Sequence, residues 1–548
     1  MNTAELLIDC LIANGINSIS GVPGEENADV LMAISEKPIT FIVCRHEQTA
    51  AFMAGMQGRL TGIPGVCLST LGPGLTNLLT GIAQANLDGT PLIALFGQCS
   101  THRLHRASHQ HIEAIDMLRP IVKWAYSIRT PDAVPEIIAK AIQIACSGYP
   151  GAVAIELPED IAALTCDALS PILAPKPAPS APNQETIKLF LSLLAESKCP
   201  LLLLGEGVVR TEADDAIRLF MEKTGIYAAY TFMGKGCIPH DHPRSLHCAG
   251  LGFRDVVVDA FAQADLVICV GYEQIEWAPT AWNIGKSKKI IHLHTNVGDV
   301  NAAYIPSLEI VGASISSMID ALNQQISPAL QRHEPYYAPI QKAIESDLHQ
   351  YRKDASFPMT PKSILYTVRQ ALKDDSMLVS DVGAHKMWIA RQYGAMHSKT
   401  CFISNGFCSM GGSIPGALEA KRLYPKRQVL AICGDGGLVM SIQALFTGVN
   451  YEIPAVVLVW QDNSYGLISW KQEMKFHKHV CTSFTNPDLV ELCKAIGCHA
   501  RAVTSAADLA PALEWALANT KVPTVLVVPV DYSENMRLFQ HLEEREPS

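Results

Sequence analysis

Val429-Leu430-Ala431-Ile432-Cys433-Gly434-Asp435-Gly436-Gly437 and, further on, Ala455-Val456-Val457-Leu458-Val459-Trp460-Gln461-Asp462-Asn463-Ser464 decide how this chain of 548 residues is read. Each contains an apolar run without polar alternation, the pattern of a strand buried on both faces of a parallel sheet. Each run ends in a carboxylate, Asp435 or Asp462. Ligands of such sheets collect beyond the carboxyl ends of the strands, so the two aspartates are expected side by side at a ligand. A hard cation such as Mg2+ takes a few protein oxygens and completes its octahedral shell with phosphate oxygens and water. Gly436 and Gly437, leading into a helix expected over Leu438 to Val449, let main-chain N–H groups and a helix N-terminus approach a phosphate closely. Alone, Gly434-Asp435-Gly436 is better read as a strand-to-helix turn with Asp435 as N-cap. The second strand and its carboxylate shift the balance to a metal-diphosphate clamp.

The two segments together resemble the signature of thiamine diphosphate enzymes, Gly-Asp-Gly followed one strand later by an Asn-Asn or Asp-Asn pair. Gln461 stands where many relatives carry the first Asn. The resemblance implies Mg2+ held by Asp435, Asp462 and the main-chain carbonyl of Ser464. It implies cofactor contacts at Gly434, Gly436, Gly437, Tyr465, Gly466 and Leu467.

That likeness demands a buried glutamate elsewhere. Thr40 to Cys44 reads as a strand, and Arg45-His46-Glu47 opens a small-residue helix over Gln48 to Gly55. The segment looks like the family's Arg-His-Glu element. Glu47 would then hydrogen-bond N1′ of the pyrimidine ring and favour the tautomer that takes the proton from thiazolium C2. The role needs a protonated carboxyl, a form that burial favours. In isolation Glu47 is a first-turn glutamate suited to the helix dipole.

Further segments carry the same likeness. Gly21 to Asn27 and Leu71 to Asn77 resemble loops that wall the catalytic cavity, with Gly24 and Gly72 as cofactor contacts. Asp381-Val382-Gly383-Ala384-His385-Lys386-Met387-Trp388 is similar to Asp-Val-Gly-Gln-His-Gln-Met-Trp of the acetolactate synthase branch, with Ala384 replacing a glutamine. Val382 and His385 keep cofactor positions in that comparison. Asn405 to Gly411 is similar to the segment that holds the cofactor bent, with Met410 between its rings and the Cys408 carbonyl accepting from the 4′-amino group. A Met in a Gly-rich loop is otherwise packing filler. In Ser108-His109-Gln110-His111, Gln110 matches a glutamine near substrate and His109 replaces a common Phe, so both are candidate catalytic residues. The rival reading of this stretch is a polar surface loop, since His102, Arg103, His105 and Arg106 lie beside it. No Cys or carboxylate at suitable spacing makes these histidines a metal set.

Pro529 to Asn535 and Gly271 to Asn283 look most like the catabolic, FAD-independent synthases. Biosynthetic relatives usually carry Arg-Phe-Asp-Asp-Arg after the strand matching Leu266 to Val270, and this chain does not. The resemblance therefore implies thiamine diphosphate and Mg2+ as cofactors and speaks against FAD. It implies small-molecule 2-oxoacid substrates: decarboxylation of pyruvate, then carboligation to a second pyruvate, giving 2-acetolactate and CO2. Tyr465 to Gln472 departs from the synthases and looks partly like decarboxylases of the benzoylformate type, which keeps aldehyde release open as an alternative. A remote third reading, a non-catalytic nucleotide-binding protein, rests on Leu204-Gly205-Glu206-Gly207, which lacks the full Gly-x-Gly-x-x-Gly spacing.

The fold class expected is α/β, with three doubly wound parallel-sheet domains, because strand-like runs alternate with helical periodicity. Boundaries follow the linkers: an N-terminal pyrimidine-binding domain over 1–168, a proline-rich linker over 169–186, a central domain over 187–328, a charged linker over 329–358, a diphosphate-binding domain over 359–535 and a tail over 536–548. The domain names come from the resemblance. It also implies that Glu47 and Asp435 act from different subunits, making a homodimer the minimum and a homotetramer the expected assembly.

Composition narrows the class. Hydrophobic residues make up 48% and charged ones 18%, ample for several cores. A net charge of −10 gives no basic footprint, so no nucleic-acid partner is expected. No apolar stretch reaches the roughly 20 residues of a membrane span. The N-terminus has no basic segment or cleavage motif, and the 16 cysteines are scattered without Cys-x-x-Cys. Reduced thiols in the cytoplasm are therefore expected, with no membrane partner.

Overall fold

Main-chain pairing in the computed structural model, which describes residues 1–167, 169–250, 256–349 and 354–535, produces three six-stranded sheets. The tail assigned to 536–548 lies outside the described residues. The first sheet comprises β1 (Ser18–Gly21), β2 (Thr40–Val43), β3 (Gly65–Ser69), β4 (Leu92–Gln98), β5 (Trp124–Ser127) and β6 (Ala152–Pro158), in the order β2-β1-β3-β4-β6-β5. The second comprises β7 (Pro200–Leu204), β8 (Tyr227–Tyr230), β9 (Ser245–Cys248), β10 (Leu266–Val270), β11 (Lys289–His294) and β12 (Leu308–Val311), ordered β12-β11-β10-β7-β8-β9. The third comprises β13 (Met377–Ser380), β14 (Cys401–Phe402), β15 (Val429–Gly434), β16 (Val456–Gln461), β17 (His499–Ala502) and β18 (Thr524–Pro529), ordered β14-β13-β15-β16-β18-β17. Neighbouring strands pair in parallel throughout. The chain is α/β in three doubly wound units.

The third sheet repeats the first, strand for strand. In both, the winding reverses between the first and third strands of the set: β1 and β3, then β13 and β15. A crevice opens at such a reversal because successive helices leave in opposite directions. Gly24 and Gly72 follow β1 and β3, while Val382 and Asp435 follow β13 and β15.

Apolar continuity explains the central strands. Val429 to Cys433 and Val456 to Trp460 are all buried, and Gly434 pairs with Trp460, so their following loops emerge together. Each fully buried Leu, Ile or Val there contributes about 2 kcal/mol of transfer free energy. The helix expected from Leu438 begins earlier, as Asp435–Ser441, and a second helix runs over Gln443–Asn450. Gly434 is the N-cap, without a side-chain cap bond, and Asp435 is the first helical residue rather than the cap. Its own Oδ1 accepts the Gly436 N–H at 2.9 Å, occupying a donor that a helix start leaves orphaned.

The units share cores. Met56 and Leu60, from the helix Glu47–Thr61, pack with Ile414 and Leu418, from the helix Ser413–Leu423. Tyr451 Oη accepts from the Val43 N–H at 2.8 Å. The helix Ala338–His349 adds Ile340 and Ile344 to the core of the second sheet. Arg59 touches all three units: it lies on the first, pairs with Glu206 of the second at 3.2 Å, and donates to the Ile403 carbonyl of the third at 3.3 Å. No helix among the described residues is long and apolar enough to cross a membrane.

Glu206 is buried and its carboxyl is pushed up by burial, then drawn back by Arg59 and Arg210. Arg59→Met leaves that carboxylate with Arg210 alone and is expected to cost about 3 kcal/mol, the low end for a broken buried pair. Denaturant unfolding of Arg59→Met and of Arg59→Met/Glu206→Gln checks this: the double variant should regain part of the loss, and equal stability of Arg59→Met and the parent contradicts it.

Candidate active site

A cavity of about 240 Å3 sits at the reversal of the third sheet. Its walls include Val382, His385, Cys408, Met410, Gly434, Asp435, Gly436, Gly437, Asp462, Ser464, Tyr465, Gly466 and Leu467, together with Gly383, Ala384, Ile468 and Tyr532. Parallel register brings the ends of β15 and β16 here, β13 supplies the turn Asp381-Val382-Gly383, and the loop before Ser413 supplies Cys408 and Met410.

The floor is acidic. Asp435 is 1% exposed; its Oδ2 accepts from the Asn463 N–H at 2.7 Å and from Asn486 Nδ2 at 2.8 Å. Burial pushes its carboxyl up, and those bonds pull it back. Asp462 is pushed up to about 7, first by burial and then by the charge of Asp435, with the Ser464 N–H opposing. Two carboxylates drawn out of water, one of them raised by the charge of the other, make a site that a cation would complete. Among the described residues no group of three or more His, Cys, Asp or Glu side chains is placed to hold a metal ion. Two carboxylates plus oxygens from the main chain, phosphate and water match the shell of Mg2+.

The opposite wall suits an anion and a flat ring. His385 is buried, pushed down to about 4 by burial, and its ring donates to the main chain of Asp381. Its Nε2 is buried without a partner. A side chain at Gly436 would come within 3.0 Å of the Tyr465 ring and 3.6 Å of Met410 Cε, so only glycine leaves that gap open. Asp381, buried and pushed up to about 6 by burial, accepts from the Gly411 N–H at 2.8 Å and from Ser413 Oγ at 3.2 Å, which ties the Met410 loop to the end of β13. The acidic pair, with Asp435 buried and Asp462 half-buried, the orphaned imidazole and the glycine gap fit a metal-bound diphosphate cofactor.

A second cluster forms at the first sheet. Glu47 is the first residue of its helix and 8% exposed, and Asn77 Nδ2 donates to its Oε2 at 2.9 Å. A β-carbon at Gly74 would lie 3.5 Å from Glu47 Oε1, and one at Gly24 would lie 2.5 Å from Thr70 Cβ. Gly72, at φ +49°, abuts the Gln110 carbonyl, which its β-carbon would approach to 2.4 Å. Gln110 is itself at φ +57°, and His109 and Gln110 are exposed. Within one chain, none of Gly24, Glu47, Gly72, His109 and Gln110 lines the cavity of the third sheet.

Sequence reasoning missed Asn486, which bridges Asp435 and Asn463 Oδ1 (2.8 Å) from 51 residues beyond Asp435, in a loop with no periodic signal. It also missed Asn77, the role of Asp381, and the wall positions of Ile468 and Tyr532. Trp470 packs edge-on against Tyr532, with ring centroids 5.7 Å apart. The Gly205-Glu206-Gly207 turn behind the nucleotide-binding alternative is occupied from within: Glu276 accepts from the main-chain N–H groups of Glu206 (3.1 Å) and Glu273 (3.0 Å).

Three family models match the chain in order. They are thiamine pyrophosphate enzyme N-terminal TPP binding domain over residues 1–117, central domain over 187–322 and C-terminal TPP binding domain over 381–528. The chain belongs to the thiamine pyrophosphate enzymes, and thiamine diphosphate is its cofactor. At the level of particular proteins it is similar to the acetolactate synthase of Bacillus subtilis, 32% identical across 98% of this chain and 94% of the relative. It is also similar to the catabolic acetolactate synthase of Raoultella terrigena (30% identical, 98% and 97% covered) and to the acetolactate synthase isozyme 2 large subunit of Escherichia coli (29%, 98% and 97%).

With Asp435 as a metal ligand, Asn486→Ala would weaken Mg2+-pyrophosphate binding about tenfold, the usual cost of losing the hydrogen bond behind such a ligand. Titration calorimetry on the cofactor-free protein reads it directly; unaltered affinity would detach Asn486 from the site.

Proposed function

We propose that this protein is an acetolactate synthase that decarboxylates pyruvate and joins the two-carbon unit to a second pyruvate, giving 2-acetolactate and CO2. The acidic pair Asp435–Asp462 within a cavity that also holds His385, Cys408 and Met410 carries the reading. The names of its relatives support the choice of reaction.

In this reading Asp435, Asp462 and the Ser464 carbonyl hold Mg2+. The N–H groups of Gly436 and Gly437 with His385 receive the diphosphate. Met410 and the Cys408 carbonyl, both on the cavity wall, would contact the cofactor's rings. Thiamine diphosphate, when bound, supplies an acidic carbon that adds to the ketone of a 2-oxoacid and takes up the electrons released with CO2. Glu47 holds a proton at the pyrimidine ring, and Asn77 fixes its carboxyl. Tyr465, Ile468 and Tyr532 line the cavity and, covered by a second copy, would limit the water that a ligating enzyme must keep from its substrates. Gln110 holds the acceptor oxygen through an amide, which has no mobile proton, and His109 moves one.

Glu47 works on the cavity of a second copy. Its cluster does not line the cavity of its own chain, and the helices beside that cavity expose Val439 (48%), Met440 (42%) and Phe446 (41%). Apolar residues grouped in this way mark an interface. A homodimer with active sites between subunits follows, paired into a homotetramer in the cytoplasm. The Glu276 carboxylate on the donors at the reversal of the second sheet supports a flavin-free enzyme.

The deciding experiment supplies pyruvate, thiamine diphosphate and Mg2+ and quantifies acetolactate, acetaldehyde and CO2. Acetolactate should dominate. Acetaldehyde in its place means a decarboxylase with the same cofactor residues, and no CO2 from any of several 2-oxoacids sinks both readings. Sharing between subunits is checked by mixing inactive Glu47→Gln and Asp435→Asn proteins under conditions that exchange subunits. Hybrid dimers carry one intact site, so roughly a quarter of parental activity should return; a mixture that stays inactive places both residues in one chain's site.

A further inference from the structure

Between β14 and the helix Ser413–Leu423 no strand or helix holds the chain, yet this stretch presents Cys408 and Met410 to the cavity. Cys408 sits at φ +58°, a left-handed conformation that a residue with a β-carbon keeps only under outside restraint. Lys386, on the helix Ala384–Gln392 and 6% exposed, supplies restraint from below. Its Nζ donates to the Ser404 carbonyl at 2.9 Å, to Asn405 Oδ1 at 2.7 Å and to Cys408 Sγ at 3.2 Å. All three donors of the ammonium group are used.

Two bonds from the other units complete the hold. The Gly406 N–H donates to Asp88 Oδ1 at 2.9 Å, and Asn405 Nδ2 donates to the Glu276 carbonyl at 2.6 Å. Position 386 is also where this chain departs from the segment it resembles, in which a glutamine stands. A glutamine amide has two donors and a shorter reach. The Lys386 ammonium spans the loop from the Ser404 carbonyl to the Cys408 thiol.

We propose that Lys386 is the positioning residue of the cofactor-facing loop: it fixes Cys408 in the left-handed conformation and so sets where the Cys408 carbonyl and the Met410 side chain meet the cofactor. The inference rests on the proposed thiamine diphosphate chemistry and deepens it. Lys386 touches no reacting atom; it acts through the loop.

The test uses the full-length chain with Lys386→Met, which keeps the length and removes every donor, and Lys386→Gln, which keeps two. Hydrogen exchange of the cofactor-free proteins is expected to show residues 404–411 opening about tenfold more readily in the Met variant, with the rest of the chain unchanged. The C2 proton of added thiamine diphosphate should exchange about 100-fold more slowly, the cost of a misplacement near 1 Å. Mg2+-pyrophosphate affinity, which reads the diphosphate end alone, should not move. The Gln variant should fall between the Met variant and the parent. Parental protection of 404–411 in the Met variant overturns the proposal, and so does parental C2 exchange. A parallel loss of pyrophosphate affinity and Tm also overturns it, because Lys386 would then serve the fold at large. A parent that catalyses no C2 exchange overturns the cofactor reading itself, a result distinct because it is read on the unsubstituted chain.

Discussion

Two carboxylates withdrawn from water at the ends of adjacent parallel strands repel each other, and much of the third unit is arranged around that repulsion. Asp435 gains two main-chain donors and the Asn486 amide, and Asp462 gains the Ser464 N–H. These bonds lower the cost of burying charge without cancelling it. A divalent cation would match what remains, and the glycine turn with its helix N-terminus would suit the phosphate oxygens that complete its shell. A membership that could be assigned by comparison thus has a local electrostatic cause.

The same topology is used twice for different ends. The first and third sheets share one strand order, so both open a crevice at the same reversal. The third fills its crevice with paired acids and glycine. The first lines its own with Gly24, Thr70 and Gly72, with Glu47 at the start of the next helix. The central sheet closes its reversal with the Glu276 carboxylate, taking the place a ligand anion would have. Function therefore lies in the loops at each reversal, not in the fold they share.

Contacts among the units give the loops their rigidity. Arg59 meets all three, and the segment from Ile403 to Gly411 accepts from Arg59 and Lys386 and donates to Asp88, Glu276 and Asp381. A loop without secondary structure can hold a left-handed residue at a site only when its surroundings over-determine it.

By itself the sequence determined the strands, because unbroken apolar runs such as Val429 to Cys433 and Pro200 to Leu204 have few other soluble uses, and it determined which side chains stand at their ends. Asp435 and Asp462 were legible as a pair because each directly follows a strand, whereas His385, Cys408 and Met410 were legible only through the resemblance; one cavity gathers all five. The helix after Gly434 was misplaced by a turn, because glycine propensity argues against helix where a local carboxylate–amide bond and the sheet's geometry impose one. Asn486, Asn77 and the three-way hold on the Cys408 loop were decided by tertiary structure alone. They join residues far apart in the chain through single hydrogen bonds, which leave no periodicity or spacing behind. Within one chain Glu47 does not line the cavity of the acidic pair; the resemblance implied action from different subunits, and the packing of the units sets the separation itself.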